Sequence, residues 1–319
     1  MFNSAETKIA FFGECMIELS GDPIRKSFGG DTLNTALYLS RLTRQHAVHV
    51  SYATGLGVDT LSQELLESWH QEGIHTNLVE TFAKQLPGLY MVQTDKVGER
   101  SFLYWRDNSP AKNYFSTSSL NKLEIALRDK QYDYFYLSGI SLAILDQASR
   151  LRLKHLLEAF SLAGGKIIFD NNYRPKLWSN QEAKYWYSQI LPLVDIALIT
   201  QDDDVLVWGD DESVAARCLR MGCNEIVIKR GCEPCQLIWR QDQYVYHTYV
   251  AAEQVSNVID TCAAGDSFAA GYLAGRVTGQ SYQDSATLGH TLAAIVIQHS
   301  GAIIPENAMK NLTLPSKSE

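Results

Sequence analysis

What this chain lacks narrows its function before any motif is read. Nowhere in its 319 residues does an apolar run approach the roughly 18 residues that a membrane-spanning helix needs; the best candidate, Leu292 to Ile297, is far too short. Lysine and arginine form no block, and Lys+Arg total 28 against 36 for Asp+Glu, a formal charge of −8 at pH 7. A nucleic acid or an anionic membrane needs a basic surface that displaces counterions, so neither is expected as a partner. A small anion is not excluded, because a few placed arginines bind one inside an acidic protein. Met1 to Thr7 is polar and lacks the basic-then-apolar order of a signal peptide, which predicts a cytoplasmic protein. Neither a Walker loop, GxxxxGK[ST], nor GxGxxG after a strand occurs, so a nucleotide site must be of another kind and an NAD-dependent dehydrogenase loses its glycine fingerprint. No repeat or low-complexity tract interrupts the chain, and only the tail 311–319 reads as loosely held.

The six cysteines are expected to be free thiols in a reducing compartment. Cys232-Glu-Pro-Cys235 is the one close pair. A zinc site wants a second such pair, and the Cys218–Cys223 gap is too long for the usual tight turn. A thioredoxin-like motif should open a helix, whereas this one lies between two strand-like runs, so a hairpin turn is predicted there.

The remaining composition, 45% hydrophobic and 20% charged, is that of a chain with a substantial core. From Tyr132 onward β-rich runs alternate with helix-length amphipathic ones: strands at 132–137, 166–170, 195–200 and 226–229, helices at 145–163, 184–191 and 212–221. Such alternation predicts an α/β fold, a doubly wound and mostly parallel sheet with helices on both faces. Ligands of such sheets sit outside the carboxyl ends of the strands. Two stretches break the rhythm, 11–20 and 88–93 with 100–106, which read as strands without intervening helices. They are predicted to form a small separate β-sheet, a lid over roughly 12–30 and 86–112, on one domain spanning 1–319.

Two glycine-bearing segments carry the chemistry. In Val258-Ile-Asp260-Thr-Cys262-Ala263-Ala264-Gly265-Asp266, an apolar approach ends in very small residues and a carboxylate, and helical periodicity follows from Phe268 to Val277. Small residues at a helix N-terminus leave backbone N–H groups pointing outward, an anion site aided by the helix dipole. An Asp in that turn is suited to accept a proton from a hydroxyl that attacks a bound phosphate; on pattern alone it is equally suited to cap the helix. The second segment, Gly29-Gly30-Asp31-Thr-Leu-Asn34-Thr-Ala36, opens a helix that runs to about Leu42, and Asp31 and Asn34 can hydrogen-bond a polyol.

Together these segments resemble the two signature regions of the ribokinase-like (PfkB) carbohydrate kinases, and the resemblance spans essentially the whole chain. Further segments, 13–19, 86–90, 102–106, 169–178 and 301–305, resemble the branch that phosphorylates 2-keto-3-deoxygluconate on its 6-hydroxyl. The resemblance implies ATP and Mg²⁺ as cofactors and a sugar acid as substrate. It implies that Gly30, Asp31 and Asn34 hold sugar hydroxyls, that Tyr90, Tyr104 and Arg106 close over the sugar from the lid, and that Arg174 takes its acidic end or reaches the phosphates. Asp266 would be the general base, with the N–H groups of Ala263, Ala264, Gly265 and Asp266 as the anion hole. Asn172, Arg174, Lys229 and the Arg230-Gly231-Cys232 turn, with Ala263 and Gly265, would serve the nucleotide. A carboxylate substrate gives a physical reason for two arginines, each a fork for a carboxylate. Read without the resemblance, Arg106 is an edge-strand charge, Arg174 a structural ion pair and Lys229 a strand-end charge.

Two positions depart from the family pattern. Ala263 stands where many members carry glycine; an alanine keeps its N–H available if φ is negative, with less backbone freedom. Thr200-Gln-Asp-Asp203 stands where Asn-x-x-Glu often lies near metal and phosphate, so the metal ligands are left open: Asp203 is suited to organise Mg²⁺ through water, while Asp202 and Asp204 read as a solvated acidic N-cap. A homo-oligomer formed through the lid sheet is expected by analogy with the family. A fructokinase-like enzyme for a neutral sugar and a non-catalytic sugar sensor on the same scaffold are the rival readings.

Overall fold

The structure, a computed structural model, describes residues 6–94 and 100–314. Part of the 86–112 lid segment, 95–99, and the end of the tail, 315–319, therefore lie outside the described residues. Strand-helix alternation builds a central eight-stranded sheet. Six strands, Val48–Ala53, Thr7–Phe12, Tyr134–Ser138, Lys166–Asp170, Ile196–Thr200 and Glu225–Lys229, lie side by side in parallel; Cys235–Gln241 and Tyr244–Val250 extend the edge in antiparallel pairing. The Cys232–Cys235 segment is the turn into that antiparallel extension.

A parallel strand buried on both faces sends alternate side chains into two cores. Ile9 and Phe11 join the core under the helices Asp31–Thr43, Ala264–Val277 and Tyr282–Val296, whereas Ala10 and Phe12 join the one packed by Gln147–Leu162, Asn180–Ile190 and Val214–Met221. The run 11–20, read as strands of the lid sheet, belongs to that sheet only in part. It divides at Gly13–Cys15: Phe11 and Phe12 end a central strand, and Met16–Ser20 enters the second sheet. That second, four-stranded sheet runs Arg25–Gly29, Met16–Ser20, Gly88–Thr94, Arg100–Trp105. Its middle pair is parallel, so a crossover through the main domain joins the two halves of the lid. The tail is firmer than expected as far as 314, because Leu312 and Leu314 pack on the core.

Candidate active site

The carboxyl ends of the parallel strands and the lid enclose a cavity of about 450 Å³. Beside it lies a second, of about 380 Å³, between Lys229–Cys232, residues 252–258 and the Tyr282–Val296 helix. Thr261, Ala264 and Gly265 line both, so the small-residue turn is the wall between them.

Asp260 pins that turn, accepting from the N–H of Cys262 at 2.9 Å and of Gly301 at 2.6 Å. Ala263 is the N-cap of the Ala264–Val277 helix and has φ of 58°. The condition of a negative φ is not met: the chain has a left-handed residue before the helix, a conformation that glycine adopts freely and alanine at a cost of roughly 1–2 kcal/mol. The Ser267 N–H bonds back to the Ala263 carbonyl at 2.8 Å, and the Ala264 N–H turns to the Thr261 carbonyl at 3.2 Å. Ala264 is thus withdrawn from the expected set of anion donors. The N–H groups of Ala263, Gly265 and Asp266 find no acceptor among the described residues, and the helix dipole adds to their positive potential.

Three carboxylates converge below the turn, two held by asparagine amides and the third by a lysine. Asn34 donates its Nδ2 to Asp266 at 2.8 Å, and Asn172 donates its own to Asp31 at 2.8 Å. Asp170, the last residue of its strand, accepts from Lys229 at 2.6 Å and from the Tyr136 hydroxyl at 3.3 Å, while its other oxygen is buried without a partner. Burial, with the negative charges of Asp31 and Asp170, pushes the Asp266 carboxyl up to about 7, against the pull of Asn34 and Lys229. Burial likewise raises Asp31. A carboxyl titrating near neutrality is suited to take and hold a proton at its working pH.

Across the lid, the register places Glu18 beside Tyr90 and Tyr90 beside Tyr104. These three and Phe102 face the cavity with Met16. Glu18 accepts from the Tyr90 hydroxyl and, at 2.9 Å, from Ser20. Gly30 lets the start of the Asp31–Thr43 helix pass close to the lid, since a Cβ there would lie 2.2 Å from the Glu14 carbonyl oxygen.

Each positive side chain at the site has an acidic partner. Arg174 lines the lid cavity, donating to the Tyr173 carbonyl at 2.9 Å and to Asp203 at 3.3 Å. Lys229 pairs with Asp170 and Arg230 with Glu233. Arg106 pairs with Glu14 and lines neither cavity. Burial raises Asp203, with Arg174 opposing it.

The structure gathers Gly30, Asp31, Asn34, Tyr90, Tyr104, Arg174, Ala263 and Asp266 around the lid cavity, and Lys229, Arg230, Gly231 and Cys232 around its neighbour. Asn172, expected beside a nucleotide, stands on the lid side, because the loop after the Lys166–Asp170 strand turns toward the Asp31 helix; Arg174, expected at the sugar's acidic end or at the phosphates, stands there too. Asp204 is no solvated cap: it is buried and paired with Arg217. Glu14, Glu18, Phe102 and Asp170 escaped the sequence reading. Glu18 had a signal, its alternation with Met16 in a strand already assigned to the lid. Among the described residues no three His, Cys, Asp or Glu side chains group closely enough to hold a metal ion by themselves. The unpartnered Asp170 oxygen and the nearby Asp203 instead fit an ion that draws most of its ligands from phosphate and water, as Mg²⁺ does.

Comparison with known proteins matches residues 6–309 to the family described as pfkB family carbohydrate kinase. A 2-dehydro-3-deoxygluconokinase of Escherichia coli (strain K12) is 48% identical over 307 residues, 95% of this chain and 98% of the relative. Another of Dickeya dadantii (strain 3937) is 47% identical over 306 residues, 94% of this chain and 98% of the relative. Among solved structures, an Escherichia coli protein in complex with ATP and Mg²⁺ superposes with a TM-score of 0.76 at 18% identity, covering 93% of this chain and 94% of that one.

Proposed function

The chain belongs to the pfkB family of carbohydrate kinases, and from that premise we propose that it phosphorylates 2-keto-3-deoxygluconate (KDG) on its 6-hydroxyl with ATP. The observation that carries this reading is the 261–266 turn, the wall between two cavities, in which the N–H groups of Ala263, Gly265 and Asp266 have no acceptor among the described residues and Asp266 stands on the lid side. Near-full-length identity of 47–48% to two 2-dehydro-3-deoxygluconokinases supplies the substrate class.

On this reading the sugar acid lies under the lid, with Gly30, Asp31 and Asn34 toward its hydroxyls and Tyr90 and Tyr104 above it. Arg174 takes its acidic end, and Arg106 is recruited to it from the lid. The triphosphate of ATP approaches from the opposite side of the turn, where Lys229, Gly231 and the apolar residues Val255, Val258 and Ala293 suit phosphates and a flat base. Asp266, oriented by Asn34, accepts the proton of the 6-hydroxyl as its oxygen attacks the γ-phosphorus in line, and the bond from that phosphorus to the β,γ-bridging oxygen breaks to release ADP. The N–H groups of Ala263, Gly265 and Asp266 stabilise the charge that develops on the transferring group. Mg²⁺, when bound with ATP, offsets phosphate charge, and Asp170 and Asp203 are the residues suited to hold it. We read the enzyme as cytoplasmic and as one kinase domain with its lid. Leu103 and Trp105, exposed on the lid's other face, favour pairing of two copies there.

A neutral-sugar kinase is the second reading, favoured by the seat of Arg106 outside the cavity. ADP release measured side by side with KDG, its galactose-derived epimer, fructose, ribose and gluconate decides between them. KDG is expected to turn over fastest; faster turnover of fructose or ribose would overturn the substrate assignment.

A further inference from the structure

Arg106 and Glu14 form an ion pair one ring behind the lid cavity: the guanidinium carbon lies 6.0 Å from the centroid of Tyr104, whose side chain does line that cavity. The pair is buried, with side chains 10% and 1% exposed, yet it is incompletely bonded, since the Arg106 Nε and the Glu14 Oε1 each lack a hydrogen-bond partner. The lid strand closes over it only because residue 88 is glycine. A Cβ there would lie 2.8 Å from Glu14 Oε1 and 3.3 Å from Arg106 Cβ. Met16, on the same strand face as Glu18, shares that contact. A guanidinium offers five donors in a planar fork, so one with an unused Nε–H edge has room for a second carboxylate.

We propose that Glu14 is a positioning residue that holds Arg106 behind Tyr104 and competes with the substrate's carboxylate for it. Glu14 thereby sets how tightly the anionic end of the substrate is held. The proposal rests on the reading of the substrate as a sugar acid. Two carboxylates on one guanidinium repel each other and share its donors, so each is held less tightly than one alone; Glu14 thus weakens binding of the acid while keeping the buried cation compensated. A neutral sugar brings no rival carboxylate and leaves the pair undisturbed, so the device acts on acids alone.

The test measures dissociation constants for KDG and fructose, and thermal stability with and without KDG, in wild type, Glu14→Gln, Glu14→Asp and Arg106→Ala, and in Glu14→Gln combined with Arg106→Ala. Glu14→Gln is expected to bind KDG on the order of tenfold tighter, to melt lower than wild type without ligand, and to gain more from KDG. Its affinity for fructose should not change, and in the Arg106→Ala background the substitution should have no effect on KDG binding. Equal or weaker KDG binding by Glu14→Gln, or the same tightening without Arg106, would overturn the proposal. Should Glu14→Gln fail to fold, Glu14→Asp, which draws the charge back, must still tighten KDG binding, and an unchanged constant overturns the proposal there too. Wild type that does not phosphorylate KDG would instead overturn the substrate reading itself, a result separable from any effect of position 14.

Discussion

On the lid side of the Thr261–Gly265 turn, Asp31, Asp266 and Glu18 crowd around a cavity, each fixed by a side-chain hydrogen bond; on the other side, Val255, Val258, Ala293 and Ile297 form a mostly apolar slot that also carries Lys229, Arg230 and Glu253. The contrast follows from what each must do. A proton transfer needs a base held in one orientation at one pKa, and buried hydrogen bonds supply that at the expense of burying charge. A flat base and a phosphate chain need only apolar walls at one end and positive potential at the other. The lid side is therefore expected to be intolerant of single changes, and the slot to respond mainly to lost volume.

Asp266→Asn should break the lid side most severely. It is expected to lose about 10²–10⁴-fold in kcat, the range of a general base, with KM values for KDG and ATP little changed; near-normal kcat in a steady-state assay would refute the role. In wild type, kcat should rise with pH to a half-maximum near 7, because only the ionised carboxyl accepts a proton. The same shift has a stability sign. A carboxyl raised on folding stabilises fully below its unfolded value of 3.8 and loses that contribution progressively as pH rises to about 7, so Asp266→Asn should gain melting temperature over wild type by more at pH 8 than at pH 5, and by least below pH 4. Ala293→Trp, filling the slot, should raise KM for ATP by about tenfold or more, the effect of losing ~1.4 kcal/mol of binding, and leave KM for KDG alone. Equal effects on both substrates would mean that the two cavities are not separate in function. Tyr104→Phe removes one hydroxyl from the lid and should raise KM for KDG by roughly fivefold, one net hydrogen bond, without touching ATP. Ala263→Gly should be the mildest: it frees the φ of 58° and should stabilise the fold by up to about 1 kcal/mol in chemical denaturation, with kcat kept.

Legibility in the sequence divided along physical lines. The strands Lys166–Asp170 and Ile196–Thr200 read clearly because a parallel strand covered on both faces is a short apolar run between turn signals. Tyr244–Val250 went unread because it is an edge strand exposed on both faces, with no burial pattern to show. The 11–20 run was misread because apolar residues continue through the change of sheet, and only Gly13 marks it. In the site, small residues followed by a carboxylate at a helix start announce themselves locally. The pairing of Asp170 with Lys229, and of Arg106 with Glu14, joins residues far apart in the chain, and no local pattern encodes such partners. The seat of Arg106 outside the cavity was invisible for that reason.

Of the six cysteines, Cys15, Cys218, Cys223 and Cys235 are buried, whereas Cys232 is exposed at the slot and Cys262 partly exposed at the lid cavity. The molecule thus carries one natural chemical reporter on each side of its dividing wall. A thiol-alkylating reagent followed by peptide mass mapping would read occupancy of each compartment separately, sugar acid shielding Cys262 and nucleotide shielding Cys232, with no label introduced.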